Sequence, residues 1–353
     1  MVVISSKEAA EEALKTHNLE CCSRAETVAS RIFSYNFKDI GFAPYGGEWR
    51  VSRKLAVIEL FTAKKLQSFR YIREEENDLF VKKMSQFAST KSPVNLTKTL
   101  FTLVASIVFR IGYGRNLHEC KFIDEDSIED LVHKFDLITE TPSFSDFFPG
   151  GIGWLIDRIS GQNKRLKKVF SELDTFYQNI LDDHLKPERT VPENPDIVDV
   201  MIDMMKKQDK DGEDSFKLTT DHLKGIISTR SQVIIQGYDI PAKAQMMINV
   251  YSIARDPKLW TNPNEFNPDR FIDSSIDYRG LNYELLPFGS GRRICPGMPM
   301  GIANVELGLL NLLYYFDWAL PEGKTVTDID LEETGAITVC KKAILELVPI
   351  LHH

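Results

Sequence analysis

The sequence predicts a mainly α-helical chain with small β-sheets, an α+β fold. Three observations predict it. Apolar residues recur at three- and four-residue spacing from Lys7 to about Ser228. Short β-rich runs follow around Gly237 and Pro241, and a glycine-rich loop then leads into an apolar helix from about Met300 to Phe316.

In chain order, the periodicity predicts helices over 7–17, 48–66, 70–89, 98–113, 162–185 and 194–207. Breaks fall at Ala43-Pro44-Tyr45-Gly46-Gly47, at Phe148-Pro149-Gly150-Gly151 and at the acidic turn Asp209 to Glu213, where Pro, Gly and Asp disfavour a continuing helix. None reads as a domain linker. Gln232 to Ile235 and Gln245 to Val250 flank Gly237 and Pro241, which predicts a hairpin. Beyond Asp256-Pro257 a Pro- and Asn-rich meander runs from Trp260 to Phe271. The longest apolar stretch, Leu100 to Phe109, falls far short of the ~20 residues that span a bilayer, and reads as a buried helix. Glu74-Glu75-Glu76 reads as a solvated helix face.

The bulk properties exclude several classes. With 353 residues, 43% of them apolar, the chain can bury one large core or two modest ones. A net charge of −8 argues against nucleic-acid binding, which needs a basic face to neutralise phosphates. The five cysteines, Cys21, Cys22, Cys120, Cys295 and Cys340, are odd in number and form no CxxC pair, which points to a reducing compartment. Lys7 and Glu8 follow only a short apolar patch, so no secretion signal is predicted. The seven histidines show no metal-like spacing and read as non-catalytic.

The chemistry concentrates in residues 288–297, Phe-Gly-Ser-Gly-Arg-Arg-Ile-Cys-Pro-Gly. This matches the pattern F-x-x-G-x-R-x-C-x-G and resembles the haem-binding loop of cytochromes P-450. A chance match in a chain of this length has odds on the order of 10⁻⁴. A single thiolate suffices as an axial ligand of haem iron, and its electron donation favours O–O cleavage. The resemblance therefore makes Cys295 the ligand of haem b. Gly291 and Gly297 would let the backbone bend and aim amide N–H groups at the sulfur, and the helix that follows adds its positive end. Arg293 would pair with a haem propionate, and Phe288 would cover the sulfur from water.

The resemblance extends along the chain. Ala254-Arg255-Asp256-Pro257, Trp260, Pro263, Phe266, Pro268 and Asp269-Arg270-Phe271 look like the family's stretch before the loop, with Arg270 in place of the arginine of its structural triad. Trp49 and Arg53 in Trp49-Arg50-Val51-Ser52-Arg53 look like its W-x-x-x-R helix, whose Trp and Arg reach the propionates; four residues apart, they share one helix face. Phe144, Phe147, Phe148, Pro149, Gly150, Gly151 and Trp154 look like the loop that caps the substrate pocket and rests on the membrane in plant A-type members, the seventy-one family. Substrate-contacting segments would map to Ser34 to Phe42 and Thr334 to Val339, and suit an apolar small molecule.

Two hallmarks of the family are absent from the sequence. No glutamate has arginine three residues later, and no glycine-acid-threonine motif lies on a central helix. His222 to Ser228 looks like the start of that helix, while Gln232 to Gly237 already resembles the sheet after E-x-x-R, which puts a join near Ser228 to Ser231. The resemblance also starts past the family's N-terminal membrane anchor. One incomplete P-450 domain is expected, in three parts: helical 1–228, a hairpin segment 229–251, and 252–353 with meander, thiolate loop and C-terminal strands.

The resemblance implies a monooxygenase of plant secondary metabolism that inserts one oxygen atom of O₂ into an apolar small molecule. Electrons would come from an NADPH-cytochrome reductase docked on Arg50, Arg53, Lys54, Lys64 and Lys65. Members sit on the cytosolic face of the endoplasmic reticulum membrane; without an anchor this chain is expected to be cytosolic or in peripheral membrane contact. The alternative is a catalytically dead remnant of an internal deletion or of splicing, binding haem at most, with Arg270 left without its triad partners. A zinc site at Cys295 fails for want of further ligands.

Overall fold

The computed structural model describes residues 2–117, 120, 123–148, 151–208, 217–227, 245–334 and 341–352. The first half carries β1 (Val2–Ile4), α1 (Lys7–Glu11) with a π-helical turn Glu12–Thr16, α2 (Asn18–Cys21), α3 (Val28–Phe33), α4 (Gly47–Glu59), α5 (Ala63–Ser68), α6 (Arg70–Thr90), β2 (Val94–Asn95), α7 (Leu96–Tyr113), α8 (Glu125–Glu140), α9 (Phe144–Phe147) and α10 (Gly151–Ile159). The second carries α11 (Gln162–His184), α12 (Ile197–Gln208), α13 (Thr220–Ile227), β3 (Met246–Ile248), α14 (Val250–Ile253), α15 (Met298–Tyr315), β4 (Phe316–Ala319) and β5 (Glu346–Leu351). The chain is mainly helical with small sheets, as the sequence predicts.

It divides into two compact units, each assembled from two separated stretches: residues 1–55 with 220–298, and residues 56–219 with 299–353. In the first, β1 and β3 pair in parallel, Val2 opposite Met246 and Ile4 opposite Ile248. Ile4, Ala9, Ala10, Ala13 and Leu14 pack with Ile248, Ile253, Tyr283 and Leu286 as its core. The short apolar patch at the N-terminus is thus a strand, and β3 has a parallel partner; the first arm of the expected hairpin, Gln232 to Ile235, lies outside the described residues. Val-Val-Ile suits a half-buried pleat, but three residues are too few for a periodicity.

The core of the second unit joins Phe69, Ile72, Phe80 and Met84 around α6, Leu103, Ile107 and Ile111 of α7, and Leu312 and Phe316 at the end of α15. A β2-β5-β4 antiparallel sheet closes on it. Helix α7 starts where Asn95 accepts the Lys98 N–H at 2.9 Å and ends at left-handed Gly114 (φ 60°). By length and composition it is apolar enough to cross a bilayer, yet half of it is buried, and Leu103, Ile107 and Ile111 place it in the core. The predicted helix over 48–66 is two helices, because Thr62 accepts the Lys65 N–H and caps a new start.

Helices α3, α8, α9 and α10 were not expected. Each of the first two carries a capping signal: the Thr27/Ser30 box, and Asp124 accepting the Ser127 N–H at 2.8 Å. Where a loop was expected, α9 and α10 are clamped by buried Asp157, which accepts the Phe144 N–H at 2.7 Å and the Ser145 N–H at 2.9 Å. Gly153 permits this closeness, since a Cβ there would lie 2.5 Å from the Phe148 carbonyl oxygen.

Buried polar groups also tie α11 to α12. His184 Nε2 lies 3.0 Å from Asp196 Oδ2, and Arg189 donates to Asp196 at 3.1 Å and to Asp199 at 2.7 Å. Asp196 Oδ1 accepts the Asp199 N–H at 2.8 Å at the start of α12. Burial pushes the Asp196 carboxyl up, but the bonds around it, led by His184, hold it below the ordinary range; burial leaves Asp199 above it. Histidine spacing alone missed this cluster because its acids lie on another helix, and the guanidinium on both carboxylates makes it an ion-pair hub. Asp196→Ala removes the acceptor of His184 and one of the two acceptors of Arg189, which keeps Asp199, and is expected to cost about 1–3 kcal/mol, read as a lowered denaturant midpoint of the full chain.

Candidate haem-thiolate site

The residues singled out in the sequence fall in the first unit: Trp49 and Arg53 on α4, and Phe288, Gly291, Arg293, Cys295 and Gly297 in the loop before α15. That loop is closed by its own backbone. The Cys295 N–H donates to the Phe288 carbonyl at 2.9 Å and the Ile294 N–H to Gly291 at 3.2 Å. Gly289 (φ 70°) and Gly291 (φ 64°) take the left-handed turns; Gly297, expected to share the bending, has no left-handed φ. Gly291 is also pressed against the π-helical turn, since a Cβ would lie 2.3 Å from Asn18 Nδ2 and 2.6 Å from the Leu14 carbonyl oxygen. Cys295 is half-buried and free, three residues before the first residue of α15, and the Met298 N–H returns to its carbonyl at 3.4 Å. Phe288 packs its ring edge-on to Tyr278 at 6.3 Å.

Three guanidinium groups in and around this loop are held by carbonyl oxygens. Arg53 donates to the Ile294 carbonyl, next to Cys295, so it faces the loop instead of joining a docking surface. Arg293 is buried and donates to Cys22 and Ala43 carbonyls, each at 2.6 Å, with its Cζ 4.0 Å over the Trp49 ring. Arg24, which the sequence reading did not single out, donates to the Gly41 carbonyl at 3.1 Å. No spacing rule marks it, because its partners lie 17 and more residues away. The Trp49 indole N–H, expected to face a cofactor, donates to the Ile40 carbonyl at 2.9 Å; a buried donor takes the nearest acceptor. Trp49 then contributes its ring face.

Burial, and then the charge of Arg293, lower Arg24 to about 9, and burial lowers Arg293 to about 10. Burial also lowers Arg53, while Cys295 opposes that shift. Asp39 is the carboxylate among these groups. Its oxygens accept the N–H groups of Gly41, Phe42 and Ala43 at 3.1, 2.8 and 2.9 Å, and so fold the loop whose carbonyls hold Arg24, Arg293 and Trp49. Burial raises it to about 6. Arg24 Nη1 and Arg293 Nη1 are both buried with no protein partner. An unmet buried donor of this kind costs about 1–3 kcal/mol, so the cluster is one anionic group short. A cofactor with two carboxylates beside a thiolate-ligated metal fits that donor set.

Arg270 stands apart from the cluster. Its guanidinium donates to the carbonyls of Thr261, Asn262, Glu265 and Asn267 at 2.9–3.1 Å, and so knits the meander through backbone acceptors. Of the other expected contact segments, Ser34 to Phe42 belongs to the first unit, with Tyr35, Asn36 and Phe37 all at positive φ, while 335–340 lie outside the described residues.

The comparisons agree with this geometry. The profile described as Cytochrome P450 matches residues 1–230 and 228–347. "Cytochrome P450 71B7" of Arabidopsis thaliana is 60% identical, with the alignment covering 100% of this chain and 85% of that protein. "Cytochrome P450 71B23" of Arabidopsis thaliana is 56% identical over 99% of this chain and 84% of its own length. The Arabidopsis thaliana "Bifunctional dihydrocamalexate synthase/camalexin synthase" is 48% identical over 100% and 86%. Among solved structures, a zebra fish cytochrome P450 with progesterone superposes with a TM-score of 0.74 at 18% identity, covering 99% of this chain and 93% of that one. Its counterpart with abiraterone gives 0.73 at 16%, with the same coverage.

Two measurements test the site. Gly291→Ala is expected to lower stability by about 2 kcal/mol or more in a thermal melt, from the left-handed φ and the contact with Leu14. Folded Asp39 keeps its proton up to about pH 6, whereas the unfolded side chain loses it near 3.8, so the folded form binds the extra proton between those values. Stability therefore falls as pH rises from about 4 to 6, by about 3 kcal/mol from this group. Urea titrations of the chain and of Asp39→Asn across that range should show the slope lost in the variant.

Proposed function

The chain belongs to the cytochrome P450 family, and from that premise we propose that it is a haem-thiolate oxidoreductase acting on an apolar small molecule of plant secondary metabolism. The observation that carries this reading is the cationic cluster of Arg24, Arg53 and Arg293, with the Nη1 of Arg24 and of Arg293 buried and unmet, near the loop of a free, half-buried Cys295. Cys295 would hold the iron of haem b through its thiolate. Arg293, Arg24 and Arg53 would hold its carboxylates, with Trp49 backing Arg293 by its ring. Gly291 allows the loop its close approach, Phe288 would shield the sulfur, and Arg270 keeps the preceding meander folded. When bound, haem supplies dioxygen binding and reductive O–O cleavage, the chemistry that no side chain here carries.

Monooxygenation places one oxygen atom of O₂ in the substrate and needs two electrons, for which an NADPH-cytochrome reductase is the proposed partner. Arg50 and Lys54, both exposed on α4, offer it positive charge. Peripheral membrane contact has support in α9 and α10, where Phe144, Phe147, Phe148, Ile152, Trp154, Leu155 and Ile159 are all exposed.

One observation favours the second reading, a haem-binding remnant without turnover. The alignment with the first Arabidopsis relative runs over 431 residues against the 353 of this chain, so about 78 residues of that relative have no counterpart here. The two profile matches meet at 228–230, where the sequence also places its join and loses the oxygen-activating motif and E-x-x-R.

Reconstitution with haem, followed by reduction under carbon monoxide, separates the outcomes. A red-shifted Soret band near that of a thiolate ligand, absent in Cys295→Ala, is the expected result. With that band present, absence of turnover with reductase and NADPH selects the remnant; absence of the band in the parent chain overturns the haem-thiolate assignment.

A further inference from the structure

The turn from Asp39 to Ala43 is bonded on two sides. Asp39 is 1% exposed, and its carboxylate accepts the N–H groups of Gly41, Phe42 and Ala43. A trans peptide sends its N–H and its C=O in opposite directions, and no cis bond interrupts this turn. The other ends of two of these peptides hold the cluster beside the thiolate loop. The Ile40 carbonyl, in the peptide of the Gly41 N–H, accepts the Trp49 indole; the Gly41 carbonyl, in the peptide of the Phe42 N–H, accepts Arg24. The Ala43 carbonyl ends the turn and accepts Arg293 at 2.6 Å, and Pro44 leaves that peptide without an N–H. An N–H bonded to a carboxylate polarises its own peptide and makes the carbonyl a stronger acceptor. One buried anion therefore acts on three side chains through the backbone. Gly225 of α13 closes on it, since a Cβ there would lie 3.2 Å from both the backbone N and the Cβ of Asp39.

We propose that Asp39 is the positioning residue of this cluster: through the peptides of residues 40–43 it fixes Trp49, Arg24 and Arg293, and so sets the affinity for a carboxylate-bearing porphyrin. The inference rests on the haem-thiolate reading above. Asp39 acts in two opposed ways. As a negative charge it competes with an incoming carboxylate for the guanidinium groups. As the acceptor of three N–H bonds it holds Arg24 and Arg293, each with an unmet Nη1, in place before any anion arrives. The geometry favours the second. Among the described residues the bonds of Asp39 all go to backbone N–H groups and none to a guanidinium, so its charge is spent on the turn and the cations stay open to another anion. Asp39→Asn turns an N–H2 towards at least one of the backbone N–H groups and breaks that side of the turn.

The test measures, by fluorescence, binding of metal-free protoporphyrin IX and of its dimethyl ester to the full chain and to Asp39→Asn. Without iron the reading is independent of the Cys295 thiolate, and the ester lacks both carboxylates. Burial raises Asp39 only to about 6, so at about pH 7.5 it is ionised. The parent chain is expected to prefer the diacid about tenfold or more, and Asp39→Asn to lose about tenfold for the diacid with the ester unchanged. No preference for the diacid in the parent overturns the cluster as a carboxylate site, and this proposal with it. Equal or tighter binding of the diacid by Asp39→Asn overturns this proposal alone, with Asp39 then a competing anion. Equal loss of both porphyrins overturns it too, because damage to the pocket at large does not distinguish them. If circular dichroism shows that Asp39→Asn does not fold, Gly225→Ala decides by the same comparison. Its methyl presses on Asp39 and removes no polar atom, so a loss of about threefold or more for the diacid alone is expected, and its absence overturns the proposal.

Discussion

The constraint on which the first unit turns is buried positive charge. Arg24, Arg53 and Arg293 are held by four backbone carbonyl bonds drawn from segments far apart in sequence, and so tie Cys22, Gly41 and Ala43 on one side to the loop of Ile294 on the other. Carbonyl oxygens offer dipoles and leave the charge itself unneutralised, and Asp39 answers only part of it while it organises its own loop. A carboxylate-rich cofactor seated there would contribute to folding as well as to chemistry, since whatever binds the folded form alone stabilises it by mass action.

What could be read from the sequence follows the range of the interactions involved. The loop around Cys295 was legible because its geometry is local: glycines at left-handed turns and a helix start are set within ten residues. The long helices α6, α7 and α11 showed themselves by periodicity to within two residues of their ends. Arg24 and Asp39 were not legible, because an arginine in a loop and an aspartate before Ile-Gly-Phe look like ordinary surface residues until the chain folds. The indole of Trp49 was aimed at a cofactor by analogy, and a nearby backbone oxygen took its hydrogen instead. The parallel partner of β3 lies some 240 residues away, a distance no pattern reports.

The two apolar surfaces of the second unit differ in kind. On α9 and α10 the exposed aromatic residues surround a clamp at Asp157 whose backbone bonds are satisfied, so that surface is a finished shape presented outward. On α15 the exposed Val305, Leu309, Leu310, Leu313 and Tyr314 belong to a helix whose opposite face is core, and they have the composition of an interior cut open. Family resemblance over the whole chain is therefore compatible with two different states of completion in one molecule.

The interleaving of the two units bears on how the protein is made. The first is built from residues 1–55 and 220–298, the second from 56–219 and 299–353, so neither has all its residues until the ribosome has passed 298 in one case and the last strand in the other. Strand β1 emerges before its partner β3, which lies more than two hundred residues behind it. For most of its synthesis the nascent chain carries helices α4 to α12 with no finished core around them, a long interval in which chaperones, not its own packing, must keep it soluble.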